Sequence, residues 1–69
     1  MAGLSNCLRD HRDRAGLTQA DLAEAIGVSR KTINTIENNV FTPSTLLALK
    51  LARCLGVSIH DIFTLEDDV

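Results

Sequence analysis

The sequence contains no tryptophan and no tyrosine, and its 69 residues include two phenylalanines, one proline and two cysteines. The lack of aromatic residues argues against stacking of single-stranded bases and against aromatic-cage recognition. Two cysteines are too few for a disulfide scaffold, and we expect Cys7 and Cys54 to be reduced, helix-borne and mostly buried. No apolar run is long enough to span a membrane. The first residues carry neither the basic nor the apolar region of a signal peptide, which favours a cytoplasmic protein without membrane contact.

The composition is that of one small domain with an aliphatic core. Hydrophobic residues make up 45% of the chain and aromatic residues only 3%, and this length allows one core and no separate ligand-binding domain. The sequence shows no activated nucleophile, no glycine-rich phosphate loop and no paired internal carboxylates. We therefore expect neither an enzyme nor a bound cofactor.

Helical spacing of apolar residues predicts five helices and no strand. The predicted helices cover residues 4–15, 19–26, 30–37, 45–55 and 59–64, followed by a short acidic tail at 66–69. Thr18, Ser29 and Ser44 are predicted N-caps, and Asn38 and Asn39 can end the third helix because asparagine tolerates the left-handed conformation. The fourth helix is apolar nearly all round, which is typical of a central helix. The fold class is therefore all-α, a compact five-helix domain.

The second and third helices are joined by a turn of only three residues, 27–29, which forces the helices to cross steeply. Ala23 provides the small side chain that a close crossing needs, and Gly27 can adopt the positive φ of the turn. A helical wheel at about 100° per residue divides the third helix into two faces. One face packs inward through Ile33 and Ile36.

The opposite face of the third helix carries only hydrogen-bonding side chains, namely Arg30, Lys31, Asn34 and Thr35. This set suits a helix in the major groove of DNA, where Arg and Lys bind guanine and Asn binds adenine. We therefore predict that these four residues read base pairs.

These features resemble the lambda-repressor/Cro-like, XRE-type family of helix-turn-helix regulators, in particular its small single-domain members. The resemblance covers essentially the whole chain. It rests on Arg12 and on the segments GLTQ at 16–19, LA at 22–23, IGVSR at 26–30, TI at 32–33, IEN at 36–38, PS at 43–44, LA at 51–52, LGVS at 55–58 and DIFT at 61–64.

The resemblance implies a sequence-specific, double-stranded DNA-binding transcriptional regulator that acts as a homodimer on a pseudo-palindromic operator. It implies a salt bridge between Arg12 in the first helix and Glu37 at the end of the third. The chain departs from the family at Asn39, where glycine is usual, and at Val40, where a basic residue is frequent. The residues that we expect to contact the DNA backbone are Thr18, Gln19, Ser29, Thr32 and Asn38.

The formal net charge of −2 is unevenly distributed along the chain. Residues 1–36 carry five basic and four acidic side chains, whereas residues 37–69 carry two basic and five acidic ones. A polyanion must therefore approach the first half of the chain. We expect weak non-specific affinity for DNA and a steep preference for low salt.

The end of the chain predicts a dimer. Five apolar residues lie between positions 57 and 65, and we expect some of them to form an exposed patch that a second copy covers. The predicted contacts are Val57, Ile59, Phe63 and Leu65, with the last two at the centre.

Two other interpretations can be compared with this one. The first is an antitoxin-like or adaptor helix-turn-helix module whose main partner is a protein. The second is a metal site formed by Cys7, His11 and Cys54. Its ligand set is incomplete, so we predict no metal.

Overall fold

The computed structural model describes residues 3–66, which form five helices and a two-stranded antiparallel sheet. No helix in this range is long and apolar enough to cross a bilayer. The five-helix architecture is confirmed. The expectation of no strand is wrong, because one strand forms near each end of the described range. In chain order the elements are β1 (Leu4–Asn6), α1 (Leu8–Arg14), α2 (Gln19–Ile26), α3 (Arg30–Glu37), α4 (Thr45–Leu55), α5 (Ile59–Ile62) and β2 (Phe63–Leu65).

Side-chain caps fix the starts of the central helices. The Thr18 hydroxyl accepts from the Asp21 N–H at 3.0 Å, and the Asp21 carboxylate accepts from the Thr18 N–H at 3.0 Å. Ser29 and Ser44 cap α3 and α4 in the same way, each by accepting a backbone N–H of the first turn. These bonds satisfy N–H groups that a helix start otherwise leaves without a partner.

Two left-handed residues determine how the chain leaves α2 and α3. Gly27 has φ 78°, which closes the short turn between these helices, and Ala23 at their crossing is 3% exposed. Asn39 has φ 59° and turns the chain away from α3. The steep crossing leaves one side of α3 packed and the other side open.

The core is aliphatic and receives side chains from all five helices. The helix α4 differs from the prediction, because it buries Ala48, Leu51 and Ala52 but leaves Leu46 and Leu49 66% and 52% exposed. It lies at the surface, since so small a domain has neighbours for only one side of this helix. The side chains with the least exposure are Leu8, Leu22, Ile33, Ile36, Leu51 and Ile62.

The strands β1 and β2 pair with Leu4 opposite Leu65, Ser5 opposite Thr64 and Asn6 opposite Phe63. Hydrogen bonds of 2.7 Å from Glu66 to Gly3 and of 2.9 Å from Cys7 to Ile62 continue the pairing at both ends. As a result, α1 begins four residues later and α5 ends two residues earlier than predicted. The cause is non-local, because the backbone groups of these segments bond across the ribbon instead of along a helix.

The strand pairing also determines which of the predicted dimer residues are buried. Phe63 is 8% exposed and belongs to the core of its own protomer, so its predicted role as a central dimer contact is wrong. Val57 and Ile59 are half-buried and pack against the same core. Leu65 is 70% exposed. The strand conformation of β2 turns Phe63 inward and places Leu65 beyond the edge of the core.

The expectation that both cysteines are mostly buried is wrong, and so is the expected helical position of Cys7. Cys7 precedes α1 and is half-buried, with its Sγ donating to the Asp61 carbonyl at 3.0 Å, and Cys54 lies on α4 but is exposed. The half-buried His11 places Nε2 3.1 Å from that same carbonyl. Within residues 3–66 no group of three or more His, Cys, Asp or Glu side chains could hold a metal ion. Of the acidic tail, Asp67 and Asp68 lie outside the described residues.

Candidate nucleic-acid interface

The open face of α3 is a polar surface with two cations. Arg30, Lys31 and Asn34 are exposed, whereas Ile33 and Ile36 on the opposite face are buried. Together with Gln19 of α2, the three polar residues line a groove of about 350 Å³. The structure therefore brings three of the four predicted base-reading residues into one accessible surface.

Thr35, the fourth predicted base-reading residue, is less accessible. It is half-buried, and its hydroxyl donates to the Thr32 carbonyl at 3.0 Å. The Thr35 carbonyl accepts from the N–H groups of Val40 and Phe41 at 2.9 and 3.2 Å. This residue therefore anchors the loop after α3, and only its methyl group and the lone pairs of its hydroxyl remain for a base.

The predicted phosphate-binding residues gather at the starts of α2 and α3. Thr18 and Gln19 share a groove with Arg12 and Arg30, and the Ser29 and Thr32 hydroxyls lie 3.0 Å apart at the start of α3. The N-terminal end of a helix carries partial positive charge and attracts phosphate. This arrangement suits a DNA backbone that passes the starts of both helices.

Asn38 lies at the other end of α3, and its hydrogen bonds are made within the protein. Its Nδ2 donates to the Asn34 carbonyl at 2.9 Å and lies 3.3 Å from Asn34 Oδ1. The backbone N–H groups of residues 38–41 all donate to carbonyls of α3, at 2.9 to 3.2 Å. A phosphate contact from this loop would have to break one of these bonds.

Glu37 is the electrostatic centre of the helix-turn-helix. Its side chain has no exposed surface, and its Oε2 lies 2.7 Å from Arg12 Nε. Its Oε1 accepts from Arg12 Nη2 at 3.2 Å, from Gln19 Nε2 at 3.1 Å and from Arg9 Nε at 3.3 Å. Arg12 also donates to the Leu17 carbonyl at 2.8 Å. One carboxylate thus joins α1, α2 and α3.

The hydrogen-bond donors around Glu37 keep its carboxyl group ionised by lowering its pKa. Burial alone would raise the pKa of Glu37, but the hydrogen bonds from Arg12, Gln19 and Arg9, together with the charge of Arg12, lower its pKa below the ordinary 4.5. The hydrogen bond to Glu37 also raises the pKa of Arg12. The pair is therefore fully charged at neutral pH, and its charges compensate each other.

The sequence analysis did not identify two residues that contribute to this region. Arg9 lies one turn before Arg12 on α1, so its helical spacing could have indicated a second cation beside Glu37. Asn6 gave no such signal. Its Nδ2 donates to the Ile36 carbonyl and to Asn39 Oδ1, both at 2.9 Å, which holds β1 against the end of α3.

The helices α2 and α3 with their three-residue turn form a helix-turn-helix whose polar face is open to solvent, which is the arrangement of a DNA-binding domain. The family model described as Helix-turn-helix matches residues 8–62. The chain belongs to the XRE-type helix-turn-helix family.

Individual relatives agree with this assignment. The chain is 49% identical over 65 residues to an uncharacterised HTH-type transcriptional regulator of Methanocaldococcus jannaschii, covering 94% of this chain and 98% of that protein. The crystal structure of a protein from Bacteroides fragilis superposes on this chain with a TM-score of 0.82 at 26% sequence identity. The match covers 90% of this chain and 100% of the Bacteroides chain. The biofilm regulator SinR, in complex with DNA, has a TM-score of 0.72 at 31% identity over 77% of this chain and 86% of its own.

We predict that Glu37→Gln lowers the free energy of unfolding by about 3 kcal/mol, since it leaves the charge of Arg12 buried without its partner. Adding Arg12→Met in the same chain should restore part of this loss, because no unpaired charge then remains. Urea unfolding measures all variants. Glu24→Gln at an exposed position of α2 is the control and should change stability by less than about 0.5 kcal/mol. Additive losses in the double variant would contradict the pairing.

We further predict that stability falls in acid because of Glu37. A lowered pKa in the folded state stabilises the fold above the ordinary value of 4.5, and this contribution disappears as the pH falls through the folded pKa. Asp21, whose pKa is lowered by the backbone and side-chain hydrogen bonds of Thr18, adds to the same loss. Urea unfolding across a pH series should show a shallower acid decline in Glu37→Gln than in the unmodified chain. Equal declines would exclude Glu37 as a source.

Proposed function

We propose that this chain is a sequence-specific regulator of transcription that binds double-stranded DNA by placing α3 in the major groove. It acts by occupying its site and carries out no chemistry of its own. The observation that carries the proposal is the open face of α3. Arg30 and Lys31 are exposed there and have no carboxylate partner among residues 3–66, whereas the other face of the helix is buried in the core.

Each side chain of this face has the donors or acceptors for one kind of contact. Arg30 and Lys31 can donate to guanine O6 and N7, and the Asn34 amide can pair with adenine N6 and N7. Thr35 offers its methyl group to thymine. The residues at the starts of α2 and α3, with Gln19 beside the groove, fix the orientation through phosphates. Related proteins named as HTH-type transcriptional regulators, and the DNA complex of SinR, support this assignment.

The proposal includes a homodimer on a pseudo-palindromic operator, and the small size of one α3 supports it. A single helix reads a short site, and two copies placed about 34 Å apart read successive major grooves on one side of the duplex. The apolar surface available for self-association includes Leu65, which is 70% exposed, and Phe41, which is 47% exposed.

A protein partner is the second candidate function. Leu46 and Leu49 on α4 are exposed apolar side chains outside the DNA-reading face, and such a surface also suits an antitoxin-like or adaptor module. Selection of duplexes from a random pool at low salt separates the two candidates. Enrichment of a palindromic motif supports the regulator, and the absence of enrichment supports the adaptor.

We predict that Arg30→Ala weakens binding to the selected duplex by about 1–3 kcal/mol and relaxes preference at one base pair. Gln19→Ala should weaken binding to all duplexes alike, because its contact is with the backbone. Arg53→Ala on α4 is the control for net charge, since its neighbouring groove contains no residue of α3. Equal, sequence-independent losses in Arg30→Ala and Gln19→Ala would exclude base reading by Arg30.

We predict that Leu65→Asp produces a folded monomer that binds the full palindrome more weakly, because a charge then replaces the exposed leucine of the dimer surface. Thr64→Asp introduces the same charge at the neighbouring position, on the opposite face of β2, and should remain dimeric. Sedimentation measures the association state, and circular dichroism confirms the fold. A monomeric unmodified chain at tens of micromolar, or a dimeric Leu65→Asp variant, would refute this surface.

A further inference from the structure

The backbone donors at the C-terminal end of α3 are already engaged within the protein. The N–H groups of residues 38–41 are engaged with carbonyls of α3, and the Asn38 amide folds back on Asn34. Val40 projects an apolar side chain that is 77% exposed. A duplex lying along α3 therefore meets no available backbone donor from residues 38–41.

Arg9 stands beside this end of α3. Its side chain is 57% exposed, and its Nε lies 3.3 Å from Glu37 Oε1. It lines a groove of about 190 Å³ together with Asn38 and Glu37. Asn38 follows Arg30 and Asn34 along the polar face of α3, at steps of four residues, so this groove borders the reading face.

The positive charge of Arg9 is not neutralised by Glu37. Arg12 makes the shorter bond to that carboxylate and is itself buried, so the two compensate each other. Asp10 lines the same groove, but no ion pair joins it to Arg9 within the described residues. Among residues 3–66, the Arg9 side chain donates only through Nε, to Glu37 Oε1. Its Nη1 and Nη2 donors therefore remain for an external acceptor.

We infer that Arg9 binds a phosphate of the DNA backbone at the C-terminal end of α3 and supplies the contact that the engaged backbone of residues 38–41 does not offer. This inference rests on the proposed function. Glu37 holds the guanidinium plane in place, which reduces the side-chain entropy lost on binding. An arginine presents paired N–H donors to phosphate oxygens in a fixed geometry. The contact carries no sequence information and orients α3 in the groove.

The test measures the affinity of the full chain for the duplex that the unmodified chain selects, over a series of salt concentrations. Arg9→Ala should reduce the slope of log affinity against log salt by about one unit, because one phosphate contact is lost. It should weaken selected and unrelated duplexes by the same factor and leave the selected motif unchanged. Arg9→Lys should restore the slope, and Arg53→Ala should leave it unaltered.

A purely structural role for Arg9 gives a different result. Loss of its bond to Glu37 would then lower the melting temperature, but the salt slope of the folded variant would equal that of the unmodified chain. That result would overturn the inference while leaving the proposed function intact. If the unmodified chain selects no duplex, the proposed function is wrong and the inference is wrong with it.

Discussion

The buried carboxylate of Glu37 is the constraint on which the arrangement of the helices depends. A charge without exposed surface is costly unless donors surround it, and its place at the end of α3 adds repulsion from the negative end of the helix dipole. Donors from α1 and α2 meet both oxygens, with Arg12 closest at 2.7 Å. These bonds can all form only if α3 keeps one orientation relative to α1 and α2. The orientation of the polar face of α3 relative to the rest of the domain therefore depends on the hydrogen bonds to one buried charge.

The same pairing explains how an acidic chain can bind a polyanion. Glu37 and Arg12 compensate each other inside the domain, so neither contributes much to the field outside. The exposed cations beside α3 are Arg30 and Lys31 at its start and Arg9 at its end, and Arg14 is a further exposed cation on α1. Of the seven carboxylates in residues 3–66, the six other than Glu37 are exposed, and none of these six lies on α3. Local charge at the reading face, and not the net charge of −2, determines the attraction for phosphate.

The sequence predicted those features that local chemistry determines. Caps at Thr18 and Ser29 and the left-handed Asn39 involve residues a few positions apart, so their side-chain types were sufficient to place the ends of α2 and α3. The ribbon was missed because Ser5 and Thr64 are 59 residues apart, and because Leu4 and Leu8 have a spacing that also fits a helix. The incorrect helix assignment of residues 63–64 then led to the incorrect role of Phe63. Arg9 is a different case: its partner Glu37 is 28 residues away, but its spacing of three residues from Arg12 on α1 was a local signal that could have indicated it.

The ribbon also connects the proposed dimer surface to the reading face. Leu65 lies in β2, which pairs with β1, and Asn6 of β1 donates to the Ile36 carbonyl and to Asn39 Oδ1 at the end of α3. Ile36 itself is 1% exposed and Phe63 is 8% exposed, so both anchors of this path are packed into the core. A palindromic operator requires two copies of α3 at a fixed separation and angle. The proposed dimer over Leu65 would therefore transmit its geometry to α3 through paired backbone and buried side chains.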